Sequence, residues 1–595
     1  MAFNRLIALY TICSLFPSTV AAQSVPDQQP ADQNERQEIR KVLEKKAFAL
    51  LNEVIAEGQT LRLAENRIRV QSKAADLLWP LDKRRARALF GEAAHGLGEL
   101  TANLDEADQQ QYYTQVNNAA QLRQEMLSII SRRDPSLARE FLQVTRQPPA
   151  PGTESLKNRP DNELRMELNL ASQMAVTDPN EALKIGEKCL DEGVSSELIN
   201  LLSQLQANGS EAASRLAAAM VRRLRSENLA ANEEATNVAF NLLQMGPPPN
   251  ASASSQASDQ AGSPTGIRLL DEATYRELMD KLATAALQIS IRNNPSDWTE
   301  RGNAQNLFTN LETIMPEIEK YIPARASSLR RKMAEFDRTL DPQTRMWNEY
   351  RRQEQSGTVD DLLNLAAHAP AEIRNGLYQQ VASKAFNQGD IELARQIINE
   401  NISNPVERKQ FLANLERDAL WQVSNQGSLS ETLRRLGSLS SNEDRVSALV
   451  QLANSAAGRG DKRTALQLLE EARALVSYRA ENISQLNAQL QVATAYASFE
   501  HSQGFQILEA VADQLNELSA ASAVLAGFDY QQNFKDGELV LQGGSYLTNL
   551  IQQYVSSLES LARTDFDRAK LTAERLQRAE SRIAARLSIV QAALQ

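Results

Sequence analysis

The residues that could do chemistry are few and far apart. His95, His368 and His501 are the three histidines. None lies in an HExxH pair or beside two cysteines, the spacings that bring zinc ligands together on one element. Cys189 is distant from every histidine, which argues against a thiol nucleophile activated by an imidazole, and it reads as a small apolar residue on a helix. No GxSxG elbow occurs, and no GxxxxGK[ST] loop that would cradle phosphates. Trp79, Trp298, Trp347 and Trp421 could stack on sugars, but one per region is the pattern of core and corner fillers. No cofactor or metal is expected from these residues.

A carboxylate beside a hydroxyl needs a separate test. Glu580-Ser581 is superficially similar to the Glu-Ser pair of exported lytic transglycosylases, which join an α-superhelix to a glycosidase domain. The following segment differs from that family's pattern, and only 14 residues remain after Ser581, too few for a lysozyme-like cleft. Glu580 is expected on a helix surface near Arg578 and Arg582.

The elements that would carry any site are helical hairpins. From Arg445 to Leu475, Leu449, Leu452, Ala453 and Ala456 recur at helical spacing, and so do Ala465, Leu468, Leu469 and Ala472. Gly460 can end the first helix in the left-handed conformation, and Asp461 can cap the second. The same corner recurs. An acid is followed four residues later by a small residue, and then by bulky ones. Asp82 precedes Ala86, Asp134 precedes Ala138, Asp178 precedes Ala182, Asp390 precedes Ala394, Asp461 precedes Ala465, and Glu500 precedes Gly504. Asp565 precedes Ala569 with weaker agreement beyond. The acid caps a helix and complements its dipole, the small residue lets two backbones approach, and the bulky pair fills the shared core.

Over Leu168 to Ile185, Leu377 to Asn399 and Leu449 to Ala472 the chain resembles the tetratricopeptide-type helical repeats. The Trp, Leu-Gly and Tyr positions of that family's first helix are missing, and the spacing drifts, so the expected fold is all-α: an irregular α-solenoid of stacked antiparallel helix hairpins. The resemblance implies protein binding or scaffolding and transfers no catalytic residue. Phe528 to Gly544 departs from helix. Asp536-Gly537 favours a tight turn and Glu538 to Leu541 is strand-like, which predicts a small β-hairpin or an ordered loop near 528–544.

Composition agrees with that fold. The 595 residues are 42% hydrophobic but only 5% aromatic, suited to closely packed Ala- and Leu-rich helices. The net charge of −11 repels phosphate backbones and excludes general nucleic-acid binding. Lys83-Arg84-Arg85 and Arg330-Arg331-Lys332 are expected to be solvated helix faces. Ala212 to Met220, followed by basic residues, could lie on a membrane surface but reads as an internal helix.

Residues 1–22 resemble an export signal: Arg5, an apolar run from Leu6 to Phe16, and the small residues before Ala22. Cleavage between Ala22 and Gln23 would leave a mature chain of charge −12, with Cys189 as its one thiol and no transmembrane segment.

The organisation expected is then a tether at 23–36, helices at 37–146, a linker at 147–160, hairpins at 161–245 and a low-complexity linker at 246–266. A central helical region at 267–355, tetratricopeptide-like repeats at 356–515 and C-terminal helices with the insertion at 516–595 complete it. The favoured function is an exported, periplasmic or extracellular scaffold that binds another protein or a peptide. Two alternatives stand beside it: an exported enzyme with a carboxylate site, and a self-associating envelope component.

Overall fold

The computed structural model describes residues 29–102, 109–146, 162–208, 211–245, 269–289, 298–425, 433–434, 436–437, 439, 441–528, 533–541 and 545–595. The linkers expected at 147–160 and 246–266, and the signal with its Ala22/Gln23 junction, lie outside them. Trp298 and Trp421 fall in helices whose side chains at those positions are also outside the description.

The first hairpins are built from α1 (Gln29–Gly58), α2 (Ala64–Leu78), α3 (Lys83–Ala102), α4 (Gln109–Arg133), α5 (Pro135–Val144), α6 (Asn162–Met174) and α7 (Pro179–Glu192). There follow α8 (Glu197–Ala207), α9 (Glu211–Ser226), α10 (Glu233–Met245), α11 (Glu272–Gln288), α12 (Trp298–Thr313), α13 (Met315–Tyr321) and α14 (Pro323–Asp337). The next group is α15 (Pro342–Ser356), α16 (Val359–Ala367), α17 (Ala371–Asn387), α18 (Ile391–Asn401) and α19 (Pro405–Asn425). Then come α20 (Asn442–Gly458), α21 (Lys462–Leu475), α22 (Ile483–Tyr496) and α23 (His501–Leu525). A two-stranded antiparallel hairpin, β1 (Phe534–Lys535) and β2 (Glu538–Leu539), precedes α24 (Tyr546–Ala562), α25 (Phe566–Ala573) and α26 (Ala579–Leu594). The chain is therefore an all-α array of helical hairpins with one small β-hairpin. Helix α1 already begins at Gln29, so part of the stretch expected to be a tether is helical. Its Glu-, Gln- and Arg-rich composition favours helix, and α1's later turns anchor it.

The corners follow from local chemistry. Gly460 has φ +85° and Gly389 has φ +91°. At each, the next residue's N–H reaches back to a carbonyl in the ending helix, Asp461 to Ala456 at 3.0 Å and Asp390 to Ala385 at 3.0 Å. This is the Schellman closure of a helix. The same aspartate then opens the next helix: Asp461 Oδ1 accepts the Thr464 N–H at 3.1 Å, and Asp390 Oδ1 accepts the Leu393 N–H at 2.9 Å. Asp82 accepts from Arg85 N–H, Asp178 from Glu181 N–H, and Asp134 from the N–H groups of Ser136 and Leu137.

Burial alone would raise the Asp134 carboxyl. Its bonds to Ser136, Leu137 and Arg87 outweigh that and hold it at about 2. The stability it contributes is present above pH ~4 and is lost as pH falls toward 2. Glu500 differs from expectation. It occupies the N-cap position of α23, but its side chain makes no capping bond. The extra methylene of Glu fits that geometry less well than Asp. The small residue four places on is nonetheless essential there. A Cβ on Gly504 would lie 2.9 Å from the Ala493 carbonyl oxygen. The corresponding Ala86, Ala138, Ala182, Ala394, Ala465 and Ala569 are all fully buried.

Two layers result. In one, α2, α4, α6, α8, α10 and α12 pack side by side, and α20, α22, α24 and α26 do the same. Their hairpin partners form the other. Helix α9, which contains Ala212 to Met220, buries its apolar face in this core, as an internal helix does. The array then returns on itself. Helix α26 packs against both α1 and α2, and its contact with α1 is as extensive as that within a connected hairpin such as α17–α18. One apolar core runs through this seam, joining Leu50, Leu51 and Val54 of α1 to Ile583 and Val590 of α26. Separate clusters fill α15–α19 and α20–α22.

Replacing Gly460 by Ala puts a side chain where φ is positive. The α20–α21 corner should lose about 1 kcal/mol, read as faster hydrogen exchange at Thr464 and Ala465 with little change in α1 or α26.

Candidate functional site

The insertion expected at 528–544 is the β-hairpin. Its turn is Asp536-Gly537, with φ 53° and 76°, the mirror-image geometry that suits tight hairpins. Its position could not be read from local sequence: it lies on the seam, and its carboxylate reaches the other end of the chain. Helix α2 has Leu63 at its N-cap, which has no side-chain oxygen to offer. Glu538 instead binds the N–H groups of the N-cap itself and of the residue before it. Its Oε2 takes the Arg62 N–H at 2.5 Å, and its Oε1 takes the Leu63 N–H at 3.3 Å and the Asn66 side-chain amide at 2.8 Å. The negative charge also sits where the α2 dipole favours it. Asn66, fully buried, then pairs like a strand with β2: its Nδ2 donates to Leu539 O at 2.7 Å and its Oδ1 accepts the Leu541 N–H at 2.9 Å.

Glu580 belongs to the same seam. The sequence places it on a helix surface, but it is buried at 5% exposure and accepts the Leu539 N–H at 2.7 Å. The correction has a simple cause. The hairpin covers the first turn of α26, and a carboxylate there satisfies a strand N–H that would otherwise be buried unpaired. Around this centre Lys535 pairs with Glu65 at 3.0 Å, Lys570 with Glu53 at 3.0 Å, and Glu57 receives both Arg582 and Arg586. The guanidinium of Arg578 lies 4.4 Å from the Phe534 ring centre. Glu538 and Glu580 thus spend their oxygens holding the seam.

Beside the seam, α2 and α4 bound a groove of about 530 Å³. Its polar lining includes Arg69, Lys73, Gln121, Gln124 and Glu125, and its apolar side chains are Ile129, half-buried, and Leu122 and Met126, both fully buried. Arg69 is nine-tenths buried and gives its Nε to Glu125 Oε2 at 3.1 Å. Lys73, one turn further on, is exposed to solvent, though the protein crowds its ammonium group. Burial lowers its pKa, against the pull of Glu125 and Glu559. Helix α4 is fixed by a buried crosslink on its neighbouring residue. Arg123 Nη2 bonds Glu163 Oε2 at 2.8 Å and Leu142 O at 2.9 Å, and its Nε bonds Thr145 Oγ1 at 2.8 Å. A second recess of about 470 Å³ lies between α2, α3, α4 and Lys535.

The other candidates stay apart. His95 pairs with Glu99 at 3.3 Å, while the Nδ1 atoms of His368 and His501 lie within hydrogen-bond distance of carbonyls one turn earlier. Among the described residues no three His, Cys, Asp or Glu side chains could hold a metal ion, and no helix is long and apolar enough to cross a membrane. Trp79 packs near Phe90 under Lys83, and Trp347 packs near Tyr350. Cys189 is fully buried. Burial, with Glu167 and Glu192 nearby, pushes its thiol up to about 12. Sequence reasoning did not single out Asn66, Arg69, Lys73, Arg123 or Glu125. The one available signal was the like-charge pair Arg69/Lys73 at i, i+4.

A scan against protein-family models finds no match, and no curated protein matches the chain. Solved structures do match weakly. One is a circular tandem repeat protein with novel repeat topology, at 15% identity over 93% of this chain and 99% of its own, TM-score 0.15. A second is a monomeric mutant of IFIT1 with Gppp-AAAA, at 12% identity over 88% and 99%, TM-score 0.16. A third is importin beta, at 13% identity over 90% of this chain and 65% of its own, TM-score 0.19. Superposition this poor leaves the description of the fold to the chain's own contacts.

Two outcomes check the site. Glu538→Ala strips the acceptor from two backbone donors, each worth about 1–3 kcal/mol when buried unpaired. Amide exchange at Leu63 should speed at least about tenfold while α20 and α21 stay unchanged; equal acceleration in both places would contradict a local clasp. For Cys189, a thiol with pKa near 12 is about one part in ten thousand thiolate at pH 8. It should resist a thiol reagent in the native protein and react fully in denaturant.

Proposed function

We propose that this chain is an exported helical-repeat scaffold that binds a protein or peptide in the groove between α2 and α4. The observation that carries the reading is the groove itself. It combines the cationic groups of Arg69 and Lys73, amide side chains able to bond a peptide backbone, and the half-buried apolar side chain of Ile129. Polar groups placed around an apolar floor are what a binding site uses to orient a ligand. The supporting element is rigid: α4 is pinned to α6 through Arg123 and Glu163, and α2 is pinned to the hairpin through Glu538. Binding surfaces on such frames lose little entropy when occupied. Export is supported by the leader-like 1–22.

The test places a photo-cross-linking amino acid at Gln121, which is exposed at the groove, and at Lys462 on the α20–α21 corner as control. In cells fractionated before irradiation, the Gln121 derivative should give a discrete adduct in the exported fraction, and its partner, purified, should bind the unmodified chain. The mature chain should begin at Gln23. Adducts of equal yield at both positions, or none, would count against the groove; retention in the cytoplasm would count against export.

A further inference from the structure

The groove has a charge arrangement that the fold does not need. Arg69 and Lys73 stand four residues apart on one face of α2, a like-charge pair that weakens an isolated helix by a few tenths of a kcal/mol. Arg69 spends only its Nε, on Glu125. Its two terminal nitrogens make no hydrogen bond among the described residues, and they are not sealed from solvent. Lys73 makes no hydrogen bond or ion pair among the described residues. Two acids also act here. Glu125 is committed to Arg69 through Oε2, while its Oε1 is buried without a partner. Glu559 of α24 acts on Lys73 without bonding it.

We propose that the α2–α4 groove takes a carboxylate, presented by an acidic peptide segment whose neighbouring side chain is aliphatic. The two terminal nitrogens of Arg69 form the planar fork that matches a carboxylate's two oxygens. Lys73 supplies a point charge one turn along. Ile129, half-buried, offers the apolar contact, and Gln121, Gln124 and Ser128 offer donors and acceptors to the peptide backbone. Because Arg69 is nine-tenths buried and already oriented by Glu125, its fork is held in place before the ligand arrives, which reduces the cost of binding. A local conflict between propensity and charge, kept on a rigid frame, is what a functional site leaves in a sequence.

This inference rests on the reading of the groove as a binding surface, and its test separates the two. Three fluorescein-labelled peptides are titrated by anisotropy: one alternating leucine and glutamate, one leucine and glutamine, one leucine and lysine. The glutamate peptide should bind at least about tenfold more tightly than the other two, and added salt should weaken it. Lys73→Gln, at a solvent-accessible position, should keep the thermal unfolding curve and weaken the glutamate peptide by about tenfold. Arg69→Gln should do the same; if it unfolds, Lys73→Gln alone decides. Equal binding of the glutamine peptide, preference for the lysine peptide, or no effect of Lys73→Gln would overturn the carboxylate assignment. In those cases a Gln121 adduct would still uphold the binding surface. Absence of that adduct would remove the surface itself.

Discussion

The constraint on which this molecule depends is the junction between its first and last described helices. A helical hairpin cannot hide its apolar face alone, so each in the array leans on the next. An open array leaves its terminal faces bare unless something covers them. Here α1 covers α26, and the apolar core passes from Leu50 and Leu51 to Ile583 and Val590 without interruption. The junction is then made specific by polar groups. Glu538 takes the N–H groups of Arg62 and Leu63 at the entry to α2, and Asn66 returns the favour by pairing with β2 as a strand would. Apolar burial supplies most of the stabilisation, whereas the buried carboxylates fix the register, because a slip of one residue would leave them unpaired in a dry place.

That junction also explains where the groove sits. Helix α2 is held at its start by Glu538 and along its length by α3, α4 and α26. Helix α4 is held by Arg123, whose guanidinium reaches Glu163, Leu142 and Thr145 from a fully buried position. A buried charge of this kind is tolerated only when its hydrogen bonds are met, and these are. Between two helices so fixed, Arg69 and Lys73 can remain under-bonded without the frame collapsing onto them. The exposed ion pairs elsewhere, such as Arg40 with Glu44, are screened by solvent and contribute little by comparison.

Much of the fold was legible. Gly389-Asp390 and Gly460-Asp461 announce a helix end and a helix start in two letters, because only glycine takes positive φ freely and a short carboxylate reaches the third amide. The alanine four residues after each capping aspartate was readable for the same reason: backbones that approach at a corner leave room for a methyl group and no more. Asp536-Gly537 marked a tight turn and left a hairpin and an ordered loop as alternatives, of which the chain forms the hairpin. Two readings failed instructively. Glu500 shows that an acid at the right position does not cap when its chain is longer. Glu580 shows that an acid flanked by arginines on a helix need not face water. The first was legible in the length of the side chain; the second could not be repaired locally, since the strand that covers Glu580 lies outside the window.

The sequence by itself determined which segments are helices, where most corners fall, and that small residues must stand at the approaches. These are interactions within a few residues of one another, and their spacing is written in the chain. Only the tertiary structure decided that α1 meets α26, that Glu538 anchors the entry to a helix some 475 residues away, and that Arg69 and Lys73 face Glu125 across a groove. Such pairings depend on the sum of small rotations from one hairpin to the next. A rotation too small to leave any mark on a single corner accumulates around the array until it brings distant residues into contact.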